Sequence, residues 1–259
     1  TVICIYHCAF TVKERYPSPP LDASENMGIN DLVTDIKLAF SNSQLVVILL
    51  VNIIFIVTLM LKGATSMYYV KEVLIDADEK LPLFMTLGSV AATLGAAMSA
   101  LMWARFDKVN VYKKLLLACG VLSAVVYWIP GDEFVLILSL GLVCTFLYMS
   151  VVPLTWSMMS DVVDYQTANS GKNMGGVFFA LFLFSLKVGT GLGGAVVGWV
   201  LGATGYDPDT EQTAEAIDAI NMISNLLPGM LFVVAALVMI LYKIDRAKRE
   251  QIRVALYGQ

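Results

Sequence analysis

Read as a string of apolar and polar positions, the chain falls into long apolar blocks separated by short charged stretches. An apolar run covers residues 1–10, and a polar stretch follows through residue 43, in which Pro17, Pro19 and Pro20 precede several Asp and Glu. Within that stretch, residues 29–40 carry the spacing of a short amphipathic helix. Six longer apolar segments come next, at 44–70, 82–104, 115–129, 134–158, 174–201 and 221–243. A helix crosses a hydrocarbon core about 30 Å thick with about 20 residues, so each is a predicted span, the third only by borrowing flanking residues. Residues 1–10 are too few to cross. The pattern predicts that they are the truncated end of a transmembrane helix that begins upstream. The chain is thus organised as that stub (1–10), a middle loop (11–43), a six-helix transmembrane bundle (44–243) and a tail (244–259).

Composition agrees. Apolar residues make up 58% of the chain, charged residues 15%, and the mean hydropathy is +0.74. A soluble domain of this length needs more charge to cover its surface. The net charge of −4 and the lack of a long basic run exclude a nucleic-acid partner. Charge placement then orients the bundle. Of 17 Lys and Arg, all lie on one side except Lys71, Lys80 and the two lysines inside spans, Lys62 and Lys187. Basic residues mark the cytoplasmic side, so the middle loop and the tail are both expected there, with the protein in the cell (cytoplasmic or inner) membrane.

Few residues carry chemistry. Cys4 and Cys8 stand one helical turn apart beside His7, yet no further ligand completes a metal site. All four cysteines, with Cys119 and Cys144, read as buried packing. Lys187 is the most informative position, because 13 residues at about 1.5 Å each place it near the middle of the fifth span. An ammonium there needs a carboxylate, water or substrate, and no span carries an acid at matching depth. Its partner is therefore expected outside these six helices. Around it, Gly189/Gly193 and Gly194/Gly198 form small-xxx-small pairs on which another helix can pack closely. Lys62 lies in the outer part of the first span, where snorkelling is easy. Gly63, Thr65 and Ser66 beside it predict a locally loosened helix of the kind found at transport sites, so Lys62 joins Lys187 as a candidate substrate- or cation-coupling residue; Tyr68 and Tyr69 are expected as an interfacial anchor, with sugar-stacking rings as the alternative. Asp161 and Asp164, at i,i+3 beyond the fourth span, face one way at the cytoplasmic mouth. With Arg105 and Lys108 of the second cytoplasmic loop, they are candidates for a salt-bridged gate. An intramembrane enzyme is excluded, since no span sets a catalytic acid, nucleophile or metal cluster at depth.

From Asp161-Val162-Val163-Asp164-Tyr165 through Lys187-Val188-Gly189 to Gly205-Tyr206, the sequence resembles the glycoside–pentoside–hexuronide:cation symporters. That family includes the melibiose permease and belongs to the major facilitator superfamily. Tyr68-Tyr69-Val70-Lys71 after Lys62-Gly63, and Lys13-Glu14-Arg15 after the apolar stub, fit it too. The resemblance implies an all-α membrane protein of twelve helices, of which this chain is the C-terminal six-helix half, its partner the missing N-terminal half. It implies cation-coupled (Na⁺ or H⁺) symport of a sugar or glycoside by alternating access, with no cofactor beyond the coupling ion. It sets Lys187 close to the cation and sugar sites, and Asp161 and Asp164 in locks that close the cytoplasmic side. Two positions depart from the pattern: Asn173 stands where the melibiose permease has an arginine, and Val152 where it has an aromatic residue, with Trp156 one turn away. A proton-driven exporter of the same fold and a non-transporting scaffold or sensor are the alternatives.

Overall fold

The computed structural model describes residues 10–11, 29–74, 80–208 and 210–258, with the side chains of 29–31, 100, 102–105 and 257 left aside. The readings made on Cys4, His7, Cys8 and Lys13-Glu14-Arg15 lie outside the described residues. Residues 1–37 and 38–259 are separate units; in the first, the described residues are helical.

Helix α1 (Ile29–Ser41) is the short helix expected in the polar stretch. It stops one residue before Asn42, whose side-chain oxygen accepts from the N–H groups of Gln44 and Leu45 at 2.9 and 3.2 Å. That cap opens α2 (Ser43–Tyr68), which tightens no further but widens into a π-helix at Tyr69–Val73. The loosening foreseen at Gly63 therefore occurs past Tyr68, while Thr65 keeps the α-register by donating to the Leu61 carbonyl at 2.6 Å. Then follow α3 (Leu81–Arg105), α4 (Lys108–Tyr127), α5 (Phe134–Ser170) and α6 (Gly175–Ala203). The last span is segmented: α7 (Ala214–Asn221), a π-helix at Met222–Leu226, α8 (Leu227–Val238) and a 3₁₀ turn at Met239–Leu241. An amphipathic helix, α9 (Arg246–Tyr257), occupies the tail.

Six of these stretches are long and apolar enough to cross a membrane. Three boundaries differ from the sequence expectation, among them the last span, which starts at Ala214 rather than 221 because Thr213 caps it by accepting from the Ala216 N–H at 3.2 Å. Helix α4 starts at Lys108 rather than 115, because Asp107 caps it by accepting from the Asn110 N–H at 3.1 Å. Helix α5 runs on past 158 to Ser170 and is closed by Gly171, whose φ of 69° few other residues adopt. At 1.5 Å per residue, 37 residues reach roughly 55 Å, so one end of α5 projects well beyond a core about 30 Å thick.

Packing is by close backbone approach on one seam and by bulk on the others. Helix α6 lays Gly189 on Ile53 and Ile56 of α2 and Gly193 on Val57 and Met60, and Asn52 donates to Ser185 Oγ at 2.7 Å across that buried seam. Gly120 of α4 and Gly229 of α8 face each other, a Cβ on either meeting the other's carbonyl oxygen at 2.9 Å. The main core gathers Phe55, Tyr112, Leu154, Met158 and Phe232. Cys119 and Cys144 lie buried in it, each thiol 3.8 Å from the other residue's carbonyl oxygen, which matches the packing role read for them.

Candidate functional site

Three places bring together the residues singled out above. The first is a cavity of about 260 Å³ between α2, α3, α5 and the segmented last span. Lys62 enters it from α2. Instead of snorkelling outwards, its Nζ donates to Ser123 Oγ at 3.1 Å and to the Ser224 carbonyl at 3.2 Å. Ser123 in turn donates to the Asn225 carbonyl at 2.9 Å. Both carbonyls belong to the π-helix at Met222–Leu226, where the wider turn leaves backbone acceptors free for side chains. Tyr69 is buried and lines the same cavity, so it is no interfacial anchor. Tyr68 instead packs edge-on against Tyr206 at 5.3 Å, and the Tyr206 hydroxyl donates to Glu72 at 3.3 Å. Desolvation, with the Glu72 carboxylate beside it, raises the Tyr206 hydroxyl above its ordinary pKa and keeps it a donor.

The second place is the face of α6 turned away from α2. Lys187 is exposed there, and among the described residues it meets no hydrogen-bond acceptor or carboxylate. One face of the helix continues the opening: Phe184, Lys187, Gly191, Gly194 and Gly198 are exposed, and a Cβ on any of these glycines would meet nothing within 4 Å. The two glycine pairs therefore part company. Gly189/Gly193 pack inside this half, and Gly194/Gly198 border open space. Trp156 of α5 lies edge-on to Phe182 at 4.9 Å and stacked on Phe179 at 6.5 Å, and Val152 packs against the core. Asn173 is engaged locally, its side-chain oxygen accepting from the Gly175 N–H at 3.0 Å at the start of α6.

The third place is the charged end of the bundle. Lys108 donates to both Asp161 oxygens at 3.1 and 3.2 Å and to Ser157 at 2.6 Å. Arg249 of α9 bridges Asp107 at 3.2 Å and lies 3.8 Å from Asp161. The structure thus joins two of the four proposed gate residues, Lys108 and Asp161, and adds Asp107 from the loop and Arg249 from the tail. Asp164 lies half-buried one turn further on, outside these ion pairs, and the Arg105 side chain is outside the described residues. The signal for Arg249 was present: Asp245 caps α9 by accepting from the Lys248 N–H at 2.8 Å, and a basic residue follows one turn later.

Six helices long and apolar enough to cross a membrane, with no strand among the described residues, define an all-α multi-pass membrane protein. The chain belongs to the family described as MFS/sugar transport protein, whose model matches residues 1–246. It is 32% identical over 252 residues to "Putative glycoside/cation symporter YagG" of Escherichia coli (strain K12), covering 97% of this chain and 53% of that protein. It is 29% identical over 232 residues to the inner membrane symporter YicJ of the same organism, covering 89% and 49%. With the isoprimeverose transporter of Lactiplantibacillus pentosus it shares 27% over 217 residues, covering 82% and 44%. The chain spans about half the length of the curated relatives it matches. These are transporters, not enzymes.

Proposed function

We propose that this chain is the C-terminal half of a cation-coupled symporter that moves a sugar or glycoside across the cell (cytoplasmic or inner) membrane. Lys187 carries the reading. A lysine roughly 18 Å along α6 from Gly175, exposed on a glycine-bordered face, is an ammonium waiting for groups from a second body. The missing N-terminal six helices would supply the carboxylates, and Na⁺ or H⁺ would share them as coupling ion. The relatives' names speak for glycosides as the substrate class. In this reading the charged end is cytoplasmic, as are both ends of the chain, and Lys108 with Asp161, Asp164 and Arg105 closes that side.

The test is uptake of radiolabelled glycosides by the full-length protein in membrane vesicles, with and without an imposed Na⁺ or H⁺ gradient. Uptake should rise with one of the gradients, and Lys187→Ala should lower it by roughly tenfold, the worth of one charge-assisted contact. Uptake that ignores both gradients, or that survives Lys187→Ala unchanged, overturns the reading. Outward movement against the gradient would turn it into a proton-driven exporter of the same fold.

A further inference from the structure

Lys62 stands on a different helix from Lys187, which does not line its cavity, and the chemistry of that cavity is one-sided. Among the described residues no Asp or Glu lines it, and Lys62 has no carboxylate within ion-pair distance. Two of the ammonium's three N–H groups are taken by Ser123 and the Ser224 carbonyl, leaving the third free. The ammonium is half-buried within an apolar span, where it needs a counter-charge. Donors without a carboxylate disfavour a metal cation and suit an anion.

The remaining polar lining suits hydroxyl groups on the ligand. Ser66 and Ser89 spend their protons on the carbonyls of Gly63 and Met85, both at 2.9 Å, so their oxygens can still accept. A volume of about 260 Å³ lies below the roughly 300–1,000 Å³ of drug-sized pockets, which limits the occupant to a small molecule.

We infer that this cavity is an anion site, in which the remaining N–H of Lys62 receives the carboxylate of a small hydroxylated acid, whose hydroxyls donate to Ser66 and Ser89. The inference stands on the cavity alone and needs neither the coupling ion nor the glycoside assigned above. The phosphate of an anionic lipid carries the same oxyanion chemistry, so the experiment separates the two sources.

The full-length protein is placed in nanodiscs of phosphatidylcholine, and lysine acylation by an N-hydroxysuccinimide ester is read peptide by peptide. Lactate is compared with lactamide, its neutral isostere, and Lys187 serves as the internal reference. Lactate should lower labelling of Lys62 several-fold and leave Lys187 unchanged, while lactamide should do neither. Lys62→Gln should also lose the lactate-induced rise in thermal midpoint that the wild type shows. Equal protection by lactate and lactamide overturns the site. So does low labelling in phosphatidylglycerol nanodiscs with no lactate effect in phosphatidylcholine, which gives the cavity to a lipid headgroup. The labelling comparison uses wild-type protein and stands even if the variant fails to fold. Glycoside uptake enters neither readout, so failure of the transport reading and failure of this site are told apart.

Discussion

Gly193→Leu is expected to lower the unfolding temperature of the full-length protein in detergent by about 5–10 °C, while Gly194→Leu leaves it near the wild-type value. The two glycines are neighbours in sequence and opposite in surroundings. A Cβ at 193 would stand 2.5 Å from Met60 Cβ and 3.1 Å from the Val57 carbonyl oxygen. Those atoms belong to the α2 backbone or are fixed to it, so a side chain at 193 must push the two helices apart. The parting would stretch the Asn52–Ser185 hydrogen bond on the same seam. Overpacking of this kind costs typically 1–3 kcal/mol and here falls at the upper end, because backbone rather than a rotamer has to move. Helix propensity pulls the other way by about 1 kcal/mol for any Gly→Leu, and it does so equally at both positions. A Cβ at 194 meets nothing within 4 Å, so only the propensity gain remains. The check is thermal unfolding of both variants in one detergent, followed by tryptophan fluorescence. Equal shifts for the two would mean that α6 does not meet α2 through Gly193. On the transport reading, Gly194→Leu is the variant that keeps its fold and loses uptake.

Glycine spacing placed both pairs on α6, but it could not say which pair serves this half and which faces outwards. A period of four is the same on either face, and only the position of α2 decides between them. The six spans were legible for a simpler reason: hydropathy over 20 residues is a strong signal, and it survives local detail. Their ends were less so. The Lys108–Leu115 turn of α4 looks like loop when hydropathy is averaged, and becomes helix because Asp107 caps it and Lys108 finds Asp161.

Lys62 shows where such reading stops. Its place in the first span was plain, and the easy inference was that its ammonium reaches outwards. Its acceptors come from positions 61 and 162 residues further along the chain. One is a backbone carbonyl released by a π-turn, a feature that no residue type in Met222–Leu226 announces. Tyr69 was misplaced for the same reason, since the π-turn at Tyr69–Val73 rotates it inwards to the cavity. Lys187 went the other way. Its lack of an acid at matching depth could be read directly from six apolar segments, and the structure leaves it exposed. The resemblance to the glycoside–pentoside–hexuronide:cation symporters rested on Asp161, Asp164 and Lys187, and it agrees with the family match along the chain.

Asp161→Ala is expected to release the tail helix and to destabilise the charged end by about 2–3 kcal/mol. Among the described residues, Asp161 is the one carboxylate that both Lys108 and Arg249 approach, at 3.1 and 3.8 Å. Through it α4, α5 and α9 are held at one point. The side chains involved are 16% to 21% exposed, so removing the shared carboxylate strands two cations in a poorly solvated place. Full burial would make the loss 3–5 kcal/mol, and the partial access to water sets the lower figure. Arg249 keeps Asp107 at 3.2 Å, but its Nε, already without a hydrogen-bond partner, loses the nearest negative charge. The readout is limited trypsin digestion, because α9 carries Arg246, Lys248, Arg249 and Arg253, and a helix must unwind to enter the protease, which release from the bundle favours. Cleavage in α9 should be faster by tens of fold in Asp161→Ala, the same free energy converted at 1.4 kcal/mol per factor of ten. Arg249→Gln should release the helix as well, and the double variant should add little, since the two residues act through one contact. Digestion that stays at the wild-type rate in Asp161→Ala would reduce the cluster to solvated pairs of negligible worth, with the tail helix held by Ile252 and Leu256, which pack on the main core.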